Sequence, residues 1–198
     1  MIYEDLRIAL ATTHTPITNI INELTIEKIY NKIIILNNSL ISDFLIRKPK
    51  IAVLSLNPHG GDNGAIGNEE KDIIVPAIEK AKNNNIIALG PFSADGLFGS
   101  NEYKKFDAII AMYHDQGMLP FKMLSHMEGV NYTAGLPVVR TSPAHGTAYD
   151  IAGLNVASPT SFLNAIFMAH QIYKNRLLTK EITQNPLKFE EKDEEKNE

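Results

Sequence analysis

The chain has 198 residues, 44% of them apolar and 21% charged, with a formal net charge of −4. That length supports one substantial core, and the mixed, mildly acidic balance excludes a general nucleic-acid surface, which needs a concentrated basic patch. The lack of cysteine excludes disulfides, thiolate catalysis and cysteine zinc sites.

The opening residues, MIYEDLRIALATT, lack the basic start and apolar core of a signal peptide. The aliphatic run Ile33–Leu36 is far short of a membrane span of about 20 residues. A cytoplasmic protein with no membrane or nucleic-acid partner is the expectation. Leu6–Ala11 reads as a short strand, closed by Thr12-Thr13-His14-Thr15-Pro16, where proline stops the ladder. Ile26, Ile29, Ile33 and Ile34 then recur at helical spacing behind Thr25, a suitable N-cap, and predict a helix over 25–38.

Ile51–Leu56 is the second apolar strand. It runs into Asn57-Pro58-His59-Gly60-Gly61-Asp62-Asn63-Gly64, whose glycines allow positive φ and close approach of backbone to a ligand. Asn68–Lys82 predicts a helix with Glu69, Glu70 and Asp72 in the first turn, where acids favour the dipole. Its buried stripe is Ile73, Ile74, Ala77, Ile78 and Ala81. Ile86–Leu89 is a third strand, ended by Gly90-Pro91-Phe92-Ser93-Ala94-Asp95-Gly96. Ala108–Met112 is a fourth, breaking into Tyr113-His114-Asp115-Gln116-Gly117.

Tyr132–Val139 predicts a further extended segment, with Arg140 at the end of a buried strand. His145-Gly146-Thr147-Ala148 starts a small-residue turn. A last helix is expected over 161–173, burying Phe162, Ile166, Ala169 and Tyr173. From Gln184 onward the chain is charged and almost without apolar groups, so a frayed or disordered tail is expected. Strands alternating with helices imply an α/β fold with a mostly parallel, helix-covered sheet.

In such sheets chemistry gathers at the carboxyl ends of the strands. His14, His59 and His114 each follow a predicted strand, and three imidazoles suit a divalent transition metal. No local motif such as HExxH is present, and ordinary loop histidines are the plain alternative. Asp95 and Asp115 fall on the same edge, as ligand-orienting, proton-accepting or metal-binding groups or simply as turn caps. Lys122, Asn131 and Arg140 suit an anionic substrate, with solvated surface as the alternative for the two cations. Gly60, Gly61 and Gly64 resemble a phosphate cradle without a GxGxxG or Walker pattern. His126 and His170 read as structural or exposed.

The blocks ATTHTP, LNPHGGDNGAIGNEE, GPFSADGLF, AMYHDQGMLPFK, VNYTAGLPVVRTSPAHGTAYDIAG and ASPTSF, in this order from Leu6 to Tyr173, resemble the 4-hydroxythreonine-4-phosphate dehydrogenase family of vitamin B6 synthesis. HGTAYDIAG is also similar to the nucleotide-binding loop of the wider isocitrate and isopropylmalate dehydrogenase superfamily. The resemblance implies that fold, with one divalent cation per subunit (Zn, Mg, Mn or Co) on His14, His59 and His114. It implies substrate contacts from Lys122, Asn131 and Arg140, with Asp95 and Asp115 in acidic active-site positions and Lys122 or Asp115 as candidate base. NAD or NADP would lie on the loop holding His145, Gly146, Thr147, Ala148 and Asp150, in a homodimer that shares its metal site.

The reaction implied is oxidation of the C3 hydroxyl of 4-phosphohydroxy-L-threonine. The β-keto acid product then loses carbon dioxide to give 3-amino-2-oxopropyl phosphate. Family members carry a further α/β region before the ATTHTP block, supplying a His-Thr pair to the substrate. On that resemblance the chain reads as the C-terminal portion, with residues 1–183 a metal-binding, substrate-binding and dimerisation domain and 184–198 a charged tail. Two other readings are a dehydrogenase of another phosphorylated hydroxy acid, such as threonate 4-phosphate, and a non-catalytic metal-binding dimerisation module. A phosphate acyltransferase shares the broad fold but has no need of three histidines at strand ends.

Overall fold

A computed structural model describes residues 1–186. The expectation of disorder for 184–198 falls mostly on 187–198, outside the described residues. Among the described residues seven strands form one sheet: β1 (Ile2–Tyr3), β2 (Leu6–Leu10), β3 (Lys50–Leu54), β4 (Ile87–Phe92), β5 (Ala108–Ala111), β6 (Val130–Tyr132) and β7 (Thr141–Pro143). Their order is β4-β3-β5-β2-β1-β6-β7. The first four in that order pair in parallel, and β1, β6 and β7 add an antiparallel flank.

Alternation along the central strands splits the core in two. Ile51, Val53, Ala108, Ile110 and Met112 face one side, together with Ile29, Ile33 and Leu40 of α2 (Ile26–Ser42). Ile74, Ala77 and Ala81 join them from the helical stretch that runs from a π turn at Glu70–Ile74 into α3 (Val75–Asn83). Ala52, Leu54, Ile109 and Ala111 face the other side, against Met118 and Phe121 of α5 (His114–Ser125) and Leu97 of α4 (Ala94–Gly99). Both faces of β3 and β5 are therefore covered, which is why those two strands read as continuous apolar runs, whereas the edge strand β4 leaves Ile87 and Leu89 exposed. A short helix α1 (Ile20–Glu23) precedes α2.

The expected strands and the α2 and α3 stripes are present, with three differences. Strand β4 continues through Gly90 and Pro91 to Phe92. It is an edge strand, where a residue without an N–H removes no ladder bond from a second neighbour. Residues Tyr132–Val139 do not form the predicted buried strand. Leu136 and Val138 are exposed, and β6 and β7 flank this loop as a small hairpin closed by the Thr133 N–H donating to Arg140 O over 3.1 Å.

The last helix, α6 (Thr160–Thr183), is longer than expected and buries a different face. Ser161, Ala165, Ile172 and Asn175 are buried, Ala169 is half-buried, and Phe162, Ile166 and Tyr173 are exposed. Apolar residues surround much of this helix, so periodicity did not select one face. Small residues sit where it packs on β6 and β7.

The Thr25 hydroxyl accepts the Lys28 backbone N–H over 3.1 Å, capping α2 as expected. Thr25→Ala is expected to lower stability by about 1 kcal/mol, the usual cost of losing such a cap. A shift in the urea midpoint with no change in slope would show it.

Candidate active site

Strands β3, β5 and β2 are adjacent and parallel, so their carboxyl ends share one edge. His59 follows β3, His114 follows β5 and His14 follows β2. Asp95, in the first turn of α4, follows β4 at the same edge. All four side chains are exposed.

A strand-to-helix turn puts His114 at the first position of α5. Gly117 lets this helix approach the sheet, because a Cβ there would sit 2.8–2.9 Å from Leu10, Ala111 and Ile8 side-chain atoms. The close packing brings His114, Asp115 and Gln116 down onto the strand ends. Asp115 Oδ1 lies 2.7 Å from His114 Nδ1. A carboxylate there holds the proton on Nδ1 and leaves the Nε2 lone pair free, the usual second contact of a metal-binding imidazole. Neutral imidazole nitrogens suit a divalent transition cation. Among the described residues no group of three His, Asp or Glu stands together within one chain in metal-holding geometry.

Past β3 the backbone makes a left-handed turn, with φ between 42° and 79° from His59 to Asn63. Left-handed backbone costs an L-residue about 1–2 kcal/mol, and such segments gather at functional sites. Glu70 holds this turn in place. Its Oε1 accepts the Leu56 N–H over 2.8 Å and the Asn57 N–H over 2.7 Å, while Oε2 accepts Asn57 Nδ2 over 3.0 Å. Burial alone would raise the Glu70 pKa, but these donors together outweigh it and the pKa lies below its ordinary value. A Cβ on Gly61 would meet Glu70 Oε2 and Gly67 O, each at 2.7 Å, so this position of the turn has no room for a side chain.

Three further bonds tie the strand ends together. Gln116 Oε1 accepts the Met112 N–H over 2.7 Å, and Gln116 Nε2 donates to Ser55 O over 2.6 Å. The Thr12 hydroxyl donates to Met112 O over 2.8 Å.

The expected site residues fall into two clefts and a rim. Asp95 and Asp115 line one cleft with Ser55, Asn57, Tyr113 and Gln116. Asn131, on β6, lines another with Thr13, Lys32, Arg7 and Tyr132, and its Nδ2 donates to Ser142 Oγ over 3.3 Å. Lys122 is exposed in the last turn of α5. Arg140 is exposed at the β6–β7 hairpin, donating to Thr133 Oγ1 over 3.0 Å. His145, Gly146, Thr147, Ala148 and Asp150 form an exposed loop leading into a short 3-10 turn, with His145 Nδ1 2.9 Å from Gly146 O. His126 and His170 are exposed.

Sequence reasoning missed Gln116, Asn57 and Thr12, and took Glu70 only as a dipole acid. For the first three the one signal is position, each lying just past a strand or in the first turn after it; Glu70, in the later helical stretch, has no such signal for its bonds to Leu56 and Asn57.

Residues 1–169 match the sequence profile of the family described as pyridoxal phosphate biosynthetic protein PdxA. A 4-hydroxythreonine-4-phosphate dehydrogenase of Bacteroides thetaiotaomicron is 54% identical over 184 residues, which cover 93% of this chain and 50% of that protein. The crystal structure of a 4-hydroxythreonine-4-phosphate dehydrogenase from Klebsiella pneumoniae superposes with a TM-score of 0.76 at 36% identity, covering 86% of this chain and 52% of the other. A terephthalate 1,2-cis-dihydrodiol dehydrogenase from Burkholderia xenovorans superposes at 0.68 with 30% identity, covering 84% and 53%. The chain spans about half the length of the curated relatives it matches.

Proposed function

The chain belongs to the PdxA family of pyridoxal phosphate biosynthetic proteins, and from that premise we propose that residues 1–183 form the metal-binding, substrate-binding and dimerisation domain of a dehydrogenase. Its substrate is 4-phosphohydroxy-L-threonine and its oxidant NAD or NADP. The observation that carries this reading is the convergence of three histidine-bearing strand ends on one sheet edge, beside the Asp115–His114 contact.

In this proposal a divalent cation (Zn, Mg, Mn or Co) and a nicotinamide, when bound, supply charge stabilisation at the substrate oxygen and acceptance of hydride. His14, His59 and His114 hold the cation. Their separation within one chain fits a site completed by a second copy. The exposed apolar residues Phe162, Ile166, Tyr173 and Leu177, which share one face of α6 at helical spacing, support such a homodimer, because an uncovered patch of that kind marks an association surface.

Lys122 and Arg140 offer the phosphate and carboxylate groups a point charge and a planar fork, and Asn131 adds an amide. Asp115 or Lys122 takes the proton of the C3 hydroxyl, with Asp95 lining the same cleft as Asp115. The His145–Asp150 loop contacts the dinucleotide. The ketone so formed stands β to the carboxylate, which leaves as carbon dioxide to give 3-amino-2-oxopropyl phosphate. No described helix is long and apolar enough to cross a membrane, which fits a cytoplasmic biosynthetic enzyme.

Mixing the protein with this substrate, NAD or NADP and each cation in turn tests the proposal. Growth of reduced-nicotinamide absorbance is the expected result. Nicotinamide binding with turnover only of threonate 4-phosphate would favour the second dehydrogenase reading. The dihydrodiol dehydrogenase likeness gives that reading its support, since that protein is named for a different hydroxylated compound on this fold. Absence of any nicotinamide binding would leave a non-catalytic metal-binding dimerisation module.

A further inference from the structure

The sheet ladder between β3 and β5 ends at the pair Val53 and Ile110. Beyond it both chains turn toward their histidines, and at this point the backbone has a gap in its pairing. The Met112 N–H and the Ser55 carbonyl lie just past that pair, in residues 0% and 1% exposed. Water is kept from them, so each needs a protein partner. The Gln116 amide supplies both, accepting from Met112 N over 2.7 Å and donating to Ser55 O over 2.6 Å. One side chain thus replaces a rung of the ladder.

Its neighbours extend the same arrangement. The Ser55 hydroxyl donates to Asn57 O over 3.1 Å, and Asn57 is held by Glu70. On the other flank Met112 O accepts from the Thr12 hydroxyl over 2.8 Å, on the segment that leads to His14. A continuous hydrogen-bonded path therefore joins the ends of the three strands that carry His14, His114 and His59. Gln116 is the member that links β5 to β3. Only an amide has the donor and acceptor on one rigid plane that this link needs.

We infer that Gln116 is a positioning residue, the bracket that sets the His59 turn against the start of α5 and so fixes the spacing of the two imidazoles. This rests on the metal-site reading above for its consequence, but the bracket itself is a property of the metal-free chain. Both ends of its amide are taken up by backbone, the Met112 N–H and the Ser55 carbonyl.

Two measurements on the full chain separate the bracket from the metal reading. Hydrogen exchange of the metal-free protein reports the bracket, and titration with cobalt(II), followed by its absorption, reports the site. Gln116→Ala is expected to speed exchange about tenfold in 55–64 and 112–115, the scale of leaving a buried donor and acceptor unpaired. Protection in α2 and α3 should not change. Cobalt affinity should fall about 10- to 100-fold, as when a second contact of a metal ligand is removed. Gln116→Glu keeps the acceptor for Met112 N but sets an oxygen against Ser55 O, so it should loosen 55–64 more than 112–115. It also decides the matter if the alanine variant does not fold.

Unchanged exchange in both segments, or loss of protection spread evenly through α2 and α3, overturns the inference. A parent protein that takes up no cobalt, while Gln116→Ala still loosens the two segments, overturns the metal reading and leaves the bracket standing.

Discussion

Replacing Asp43 by alanine is expected to destabilise the protein by about 3–5 kcal/mol, the usual cost of removing one partner from a buried ion pair. Asp43, the C-cap of α2, is 1% exposed. Arg176 of α6 donates to it through Nε over 2.7 Å, and Ser39 and Ser42 donate over 2.7 and 2.9 Å. Tyr132 of β6 adds its hydroxyl, itself held by Arg176 Nη2 at 2.9 Å. Asn175 Nδ2 donates to Asp43 O over 2.6 Å, and the Thr179 hydroxyl to Ser42 O over 3.1 Å. One carboxylate thus fastens α6 and β6 to the end of α2. Without it Arg176 Nε and the Ser39, Ser42 and Tyr132 hydroxyls lose their shared acceptor, and the guanidinium keeps only Leu136 O and the Tyr132 oxygen; leaving covered donors unpaired is worse than never having buried them.

Protonation should act in the same direction. Burial alone would raise the Asp43 pKa, but Arg176, Ser39, Tyr132 and Ser42 together outweigh it and hold it below its ordinary value of 3.8. A depressed folded-state pKa gives stability that is complete above the unfolded value and is lost as pH falls through the folded one. The gap between parent and Asp43→Ala should therefore be constant near neutral pH and narrow below about pH 4. Urea unfolding of both proteins at several pH values measures this. A gap of under about 1 kcal/mol at neutral pH would rank the pair with ordinary surface bridges and remove its role as a fastener.

None of this network was legible in the sequence. Asp43 and Arg176 are 133 positions apart, and nothing local marks either as the other's partner. Arg176 also lies beyond the point where the last helix was expected to stop. The parallel strands were legible because burial on both faces leaves apolar runs such as Ile51–Leu54 and Ala108–Ala111. Helix α2 was legible because one face is polar and Thr25 marks its start. Helix α5 was not, since Gly117 and Pro120 both weaken a helical reading, and Gly117 is there for contact with the sheet. His14, His59 and His114 could be placed on one edge because each follows an apolar run and parallel strands end together. The groups that hold those ends, Gln116, Thr12 and Glu70, act through backbone atoms of other strands. Such pairings depend on the fold and leave no spacing in the chain.

His114→Ala is expected to abolish divalent-metal binding and leave the fold intact, and the two halves of that expectation have separate grounds. The fold should survive because the side chain is half exposed, at 50%, with Asp115 as its hydrogen-bond partner. Surface truncations of this kind change stability by about 0.5 kcal/mol or less. Binding should be lost because the proposed site draws on three imidazoles and no described carboxylate cluster stands ready to replace one. Asp115→Asn should give a graded loss of about 10- to 100-fold, since it removes the carboxylate that fixes the ring and its tautomer but keeps the ligand. Metal analysis of parent and variants after dialysis against zinc, beside their thermal unfolding curves, distinguishes the two effects. Full metal content in a folded His114→Ala protein would move the cation off this strand end. It would also leave the Asp115–His114 contact as an ordinary exposed side-chain pair at the start of a helix.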